Sequence, residues 1–370
     1  MKLKKYLKDQ KLLYDQILGF INQDGEIEFT SLIDLLQKYQ KKENFQNILY
    51  IIAKISKNHK RSPEFLENIK QILSHFGNYI KHTFSNIEIY KIFEDNLLFL
   101  LFLIENDIFS IDQAVFQQIL PNTHLCNFFN PEIKPFLTEE DKENLEKQLL
   151  SIDPNYLDRF DEKRRIGEND WHLCELIRHD FIEEFVTYVN QTNLSLSRTI
   201  IKYSIFETNS FLIKNKNTTL IEYAAFCGSF QICQFLRMND VDISDNVWLC
   251  TIHSNNAELF HLLEEDSPKY INSDLNKYLK ESIKCHHNNI ADYIVSNYTD
   301  EQTIKNDVLN QFDENVLLYG FRYCNYEFLP VELNHKFSFF YSCKYNHLSL
   351  LKLFIKKGKF DVNEEIYSKI

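Results

Sequence analysis

Apolar residues recur along almost the whole chain at three- and four-residue spacing, the period of a helix with one buried face, and almost nowhere alternate as in a strand. Ser62-Pro63-Glu64 supplies an N-cap with proline at the first helical position, and Phe65, Leu66, Ile69, Ile72, Leu73 and Phe76 follow as a stripe. Ser85 with Glu88, and Thr138 with Asp141, read as capping boxes that open further helices. The unbroken apolar run Leu97 to Ile104 is far shorter than the ~20 residues needed to span a bilayer and predicts a buried helix. Pro121, Pro131 and Pro135 interrupt the pattern, so NPEIKP is expected to be a loop closing an all-helical region of residues 1–150.

From Thr219 to Leu236 the chain reads as two short helices joined at Gly228. Ala224 and Ala225 allow close approach, and Ile221, Ile232, Phe235 and Leu236 fall on facing apolar stripes. The unit recurs. Aligning on Ala224 gives Thr251, Ser282 and Ser342, all small; the next position is Ala225, Ile252, Ile283 and Cys343; the second-helix position is Ile232, Leu259, Ile290 and Leu350. The turn position reads Gly228, Asn255, His286 and Asn346. Asn and His are the side chains enriched in the left-handed conformation where glycine is absent. The last interval is near twice the others, placing one degenerate repeat between Asp300 and Asn334.

This hairpin resembles an ankyrin repeat. The order RIGENDWHLCELIRHDFIEEFVTYVNQTNLSLS, SIFETNSFLIKN, TLIEYAAFCGSFQICQFL and NVWLCTIHSNNAELFHLLEED is similar to that in the expanded ankyrin-type proteins of trichomonad protists, which carry a domain of unknown function built from such repeats. The exit loop Lys356-Lys357-Gly358-Lys359-Phe360-Asp361-Val362-Asn363 is similar to that family's turn ending in Asp-Val-Asn. The resemblance implies an all-α fold: an ankyrin-type α-solenoid of five to six repeats over 151–370, one degenerate near 300–334, with 1–150 as a helical region covering one end of the array. It implies no reaction, and no catalytic residue carries over.

Composition narrows the chemistry. A formal charge of −12, from 53 acidic and 41 basic residues, disfavours nonspecific binding to nucleic-acid phosphates or anionic lipid. The N-terminus lacks the apolar core of an export signal, and the 8 cysteines sit mostly on predicted core faces, so a reduced, cytoplasmic setting and no membrane insertion are expected. Cys285-His286-His287 has metal-binding residue types, yet neighbours on a helix point about 100° apart and no second pair stands at zinc-finger spacing. Asp161-Glu162-Lys163-Arg164-Arg165 reads as a solvated charge run in a linker. No nucleophile-elbow, phosphate-loop or HExxH signature occurs. A catalytic, cofactor-binding or metal site is therefore not expected.

The function expected is a non-catalytic scaffold for a protein partner. The alternatives are an adaptor joining membrane or cytoskeletal proteins through the N-terminal helices, or a subunit of an enzyme complex. The surface residues expected to meet a partner are Phe226, His253, Lys284 and Lys344 on first helices, Asn239, Asp240, Asp242 and Asp245 in an acidic loop, and Lys356 and Lys357 at a basic end. Ser267, Lys269, Asn272 and Asp274 mark the loop of the following repeat. Sequence alone sets neither the partner's identity nor the oligomeric state.

Overall fold

The computed structural model describes residues 2–23, 27–266, 275–298, 306–329 and 336–357, and among them the regular structure is helical apart from one isolated bridge, Ile200 to Thr219. The fold is all-α. Residues 1–69 with 260–370 form one compact unit and residues 70–259 a second. The packing therefore does not divide the chain at residue 150. In the first unit the helices Lys2–Asn22 and Lys42–Asn58 lie against the C-terminal helices Leu275–Cys285, Asn306–Tyr323 and Leu348–Lys357, so the N-terminal segment shares a core with the last hairpins.

Several helix starts follow from side chains seen in sequence. The Phe65 N–H donates to Ser62 Oγ at 3.1 Å at the head of Pro63–His75. Ser85 and Glu88 form a reciprocal box, with the Ser85 N–H donating to Glu88 Oε2 at 2.8 Å. Thr138 Oγ1 accepts from the Asp141 N–H at 3.2 Å. The apolar run becomes the helix Leu97–Glu105, with Leu100 and Leu103 wholly buried.

Two expectations are corrected here. NPEIKP is not a loop: Asn130–Ile133 is an α-helical turn continued by a 3-10 turn at Lys134–Phe136. Each proline sits in the first turn of its element, where a missing N–H costs nothing. The charge run at 161–165 is not a linker but the helix Phe160–Ile166. Arg164 is 4% exposed and holds Glu132 at 2.7 Å, Asp161 at 3.1 Å and the Phe128 carbonyl at 3.1 Å. Its flanking cations pair outward, Lys163 with Asp170 at 2.9 Å and Arg165 with Glu105 at 2.7 Å.

The helical hairpins share one turn. Gly228, Asn255, His286 and Asn346 have φ of +77°, +49°, +58° and +61°. The anchors Ala224, Thr251, Ser282 and Ser342 are all fully buried. The N–H after the left-handed residue bonds back to the anchor carbonyl: Ser229 to Ala224 at 2.9 Å, His287 to Ser282 at 3.1 Å and His347 to Ser342 at 2.9 Å. Asp180 and Cys324, at φ +53° and +55°, close two further turns in the same way, through Phe181 to Leu176 at 3.0 Å and Asn325 to Gly320 at 3.0 Å.

A second bond repeats between successive hairpins. The side chain following the left-handed residue donates to a carbonyl at the end of the preceding hairpin's first helix: Ser229 to Ile177, Asn325 to Ile283 at 3.0 Å, and the His347 ring nitrogen Nε2 to Phe321 at 2.8 Å. Ile177, Ile283 and Phe321 each stand one residue after their hairpin's anchor. Asn256 makes a related bond to the Gly228 carbonyl at 3.1 Å. At Ile177, Ile283 and Phe321 the side chain gives the helix-end carbonyl a second partner beside the N–H of its own turn, and so ties one hairpin to the next.

Within the span expected from sequence to hold a degenerate repeat, the helix Asn306–Tyr323 ends at the left-handed residue Cys324 and is followed by a 3-10 turn at Tyr326–Phe328. Gly320 takes the anchor place because a Cβ there would lie 2.8 Å from Leu329 Cδ2 and 3.3 Å from the Asn325 carbonyl oxygen.

Candidate functional site

One recess, a cavity of about 650 Å³, lies within residues 70–259. Five local structures build it. The helix Thr123–Phe128 starts at Asn122, whose side chain accepts from the His124 and Leu125 N–H groups, and carries His124 and Asn127 into the wall. The end of Glu139–Ile152 contributes Gln148 and Ile152. An extended stretch, Ile201 to Ser204, is fixed by the Ile201 N–H donating to the Thr218 carbonyl at 2.8 Å and by the Asn169 amide donating to the Lys202 carbonyl at 2.7 Å. Ser210–Lys214 adds Leu212 and Ile213, and Leu220–Cys227 adds Tyr223.

The hydrogen bonds of His124 settle its tautomer. Nε2 faces the Glu207 carbonyl at 2.8 Å, and a carbonyl only accepts, so Nε2 carries the proton. Nδ1 then accepts the Tyr203 O–H at 2.7 Å. Burial lowers the imidazole pKa, partly offset by the Glu207 carbonyl, and burial raises the Tyr203 phenol. Both groups stay neutral near pH 7. Beneath them Asn127 is fully buried, and neither amide atom completes a hydrogen bond of full geometry, although it lies close enough to Tyr203 to temper that phenol's rise.

Arg178 braces the wall around Tyr223. Arg178 Nη1 donates to the Tyr223 hydroxyl at 3.0 Å and the Asn169 carbonyl at 2.8 Å, and Nε pairs with Glu168 at 2.7 Å. Lys202 sits 4.8 Å from the Trp171 ring centroid. Cys126 beside the cavity is pushed up by burial, away from the reactive thiolate. The neutral Tyr–His pair offers hydrogen-bonding groups to the cavity, and the raised thiol of Cys126 is a poor nucleophile.

None of the surface residues expected from sequence lines this cavity. His253 is corrected most plainly: it is buried, not exposed, with its ring 4.2 Å from Phe211 and 5.3 Å from Phe226. Phe226 is half-buried and stacked on Phe211 at 5.7 Å. Lys284 is half-buried in an ion pair with Glu281 at 2.5 Å. Asn239, Asp240, Asp242 and Asp245 are exposed together around the turn at Asp240, whose φ is +55°. Lys344 and Lys356 are exposed. The side chain of Lys357, the loop residues Ser267, Lys269, Asn272 and Asp274, and the exit loop from Gly358 to Asn363 lie outside the described residues. His286 and His287 turn to different partners: His286 Nδ1 meets the Tyr14 hydroxyl at 3.0 Å, and His287 Nε2 accepts from the Lys60 N–H at 3.4 Å.

The cavity was missed because the prolines around 121–135 pointed to a loop. A usable signal was present: Asn122 is a cap, and His124 and Asn127, three apart, share a face in a segment otherwise built of Leu125, Cys126, Phe128 and Phe129. Among the described residues, no helix is long and apolar enough to cross a membrane. Comparison with known proteins finds no protein-family model, no curated protein and no solved structure that matches the chain.

Proposed function

We propose that the chain is a non-catalytic scaffold of divergent ankyrin type that binds a protein partner across its stacked hairpins. The observation that carries this reading is the repeated bond from the residue after each left-handed turn to the preceding hairpin's helix-end carbonyl, made by Ser229, Asn325 and His347 at equivalent positions. A bond that recurs in register between neighbours is what a nearest-neighbour repeat array needs, and such an array yields an extended surface. The acidic turn Asn239 to Asp245 supplies charge for steering, and Phe226 beside Phe211 supplies an aromatic anchor. The His124–Tyr203 recess, with polar groups set among Ile152, Ile201, Leu212 and Ile213, accepts a side chain or short segment of that partner.

The test uses the full chain with a photo-crosslinking residue at Asp242 or at Tyr203, and with Asp240, Asp242 and Asp245 reversed to lysine. Crosslinks from both positions to one protein, and an affinity for it that falls with salt and with charge reversal, support the scaffold. An affinity and salt dependence untouched by reversal would sink the steering role, and crosslinks to no protein would sink the scaffold.

A further inference from the structure

Within the unit formed by 1–69 and 260–370, a smaller recess of about 240 Å³ is lined by cations from separate elements: Lys54 from the helix Lys42–Asn58, Arg322 near the end of Asn306–Tyr323, and Lys344 at the end of Lys336–Lys344. Among the described residues no carboxylate lines it; the other polar contributors include Asn47, Asn346 and His347. We propose that this recess binds the phosphate group of a soluble phosphomonoester.

The charge balance makes the cluster unusual. Acidic residues outnumber basic ones by 53 to 41 over the chain, and three other lysines of this unit are neutralised locally. Lys352 pairs with Glu43 at 2.6 Å, Lys284 with Glu281 at 2.5 Å, and Lys11 with Asp15 at 3.3 Å and with Glu327. Among the described residues none of Lys54, Arg322 and Lys344 has a carboxylate within 4.0 Å. Two of them lie near aromatic faces instead, Arg322 at 5.5 Å from the Tyr323 centroid and Lys344 at 5.7 Å from Phe340 and 5.9 Å from Tyr345. Like charges drawn into one concavity repel unless an anion joins them.

His286 and His347 are both pushed towards the neutral form chiefly by burial; His59 and then Lys54 add to this at His286, while at His347 the Phe321 carbonyl opposes it and Lys54 adds a smaller push. His347 is fixed with Nε2–H on the Phe321 carbonyl at 2.8 Å, so it adds no positive charge, and recognition falls to the cations.

Ligand class follows from charge and size. A phosphomonoester carries nearly two negative charges and three acceptor oxygens, matching three cations that approach from different directions. A volume of about 240 Å³ admits that group with a few attached atoms, and is below the ~300 Å³ at which drug-sized ligand pockets begin. The inference stands independently of the scaffold reading, since it concerns a small anion and not a protein surface.

The test is calorimetric titration of the full chain at low ionic strength with inorganic phosphate, O-phosphoserine and, as a monoanionic control, acetate. The expected result is saturable binding of both phosphates, tighter than acetate, weakened about fivefold or more by each of Lys54→Gln, Arg322→Gln and Lys344→Gln. Lys352→Gln, which removes an exposed paired cation outside the recess, should leave it unchanged. Circular dichroism of each variant checks that the helices persist. Absence of phosphate binding overturns the proposal, as do acetate binding as tight as phosphate and an equal loss in Lys352→Gln.

Discussion

Asn325 offers the sharpest test of how the hairpins are joined. It is fully buried, and its amide donates to the Ile283 carbonyl at 3.0 Å and to Asn288 Oδ1 at 2.8 Å, while its oxygen accepts from the Glu327 N–H at 3.3 Å. Asn288 in turn donates to the Tyr14 hydroxyl at 3.3 Å, so one side chain ties two hairpins to the N-terminal helix. A buried hydrogen bond is worth about 1 kcal/mol net, and a stranded buried partner costs about 1–3 kcal/mol. The Ile283 carbonyl keeps the His286 N–H at 3.2 Å, so its loss lies at the low end and that of Asn288 nearer the middle. Asn325→Ala should therefore cost about 2–4 kcal/mol. Asn325→Asp keeps the shape but turns a donor into a carboxylate facing two oxygens, and should cost about 3–5 kcal/mol at neutral pH.

The aspartate variant carries its own signature. Its folded pKa would be raised above the unfolded value of about 3.9, so the protonated form is the one compatible with the fold. The deficit should shrink as pH falls towards 4 and grow as pH rises above it. Urea unfolding followed by far-UV circular dichroism gives the loss. Hydrogen exchange by mass spectrometry over 275–298 and 336–357 locates it. If both variants unfold within about 0.5 kcal/mol of the wild type, these bonds do not hold the hairpins together and the stacking account is wrong.

Further expectations are independent of that one. Ala224→Glu should destabilise the second unit by several kcal/mol, because Ala224 is fully buried and a carboxylate there would be unpaired; an unchanged tryptophan-fluorescence unfolding curve, reporting Trp171 and Trp248, would refute the register. Gly228→Ala should cost about 1–2 kcal/mol, since φ is +77° and the added Cβ would stand 3.2 Å from Ser254 Cβ; a neutral effect on the same curve would contradict this. His286 is held near a pKa of about 3, chiefly by burial, below its unfolded value of about 6.5. Its contribution is intact above pH 6.5 and is lost on acidification at up to about 1.4 kcal/mol per pH unit, so His286→Phe should flatten the acid limb of the stability profile even if it lowers the plateau. Iodoacetamide on the native chain should label exposed Cys343 first, while Cys174, pushed by burial to about 12, reacts only after unfolding.

The helices themselves were legible in sequence because their causes are local. The stripe after Pro63, the box at Ser85 and Glu88, and the left-handed turns at Gly228, Asn255, His286 and Asn346 all depend on residues within one or two turns of each other. Small anchors such as Ala224 and Ser282 were visible for the same reason. Which polar residues become buried was not visible, because burial depends on what arrives from elsewhere in the chain. Arg164 looked like part of a solvated charge run until Glu132 and the Phe128 carbonyl met it. His253 sat on a helix position expected to face solvent until Phe211 covered it. His124 and Tyr203, 79 residues apart, meet only through the extended stretch pinned by Thr218, and Lys54 joins Arg322 and Lys344 only because the N-terminal helices pack on the last hairpins. Local hydrogen bonding and periodicity wrote the helices into the sequence; long-range packing alone decided which side chains lost their water and which charges were left facing one another.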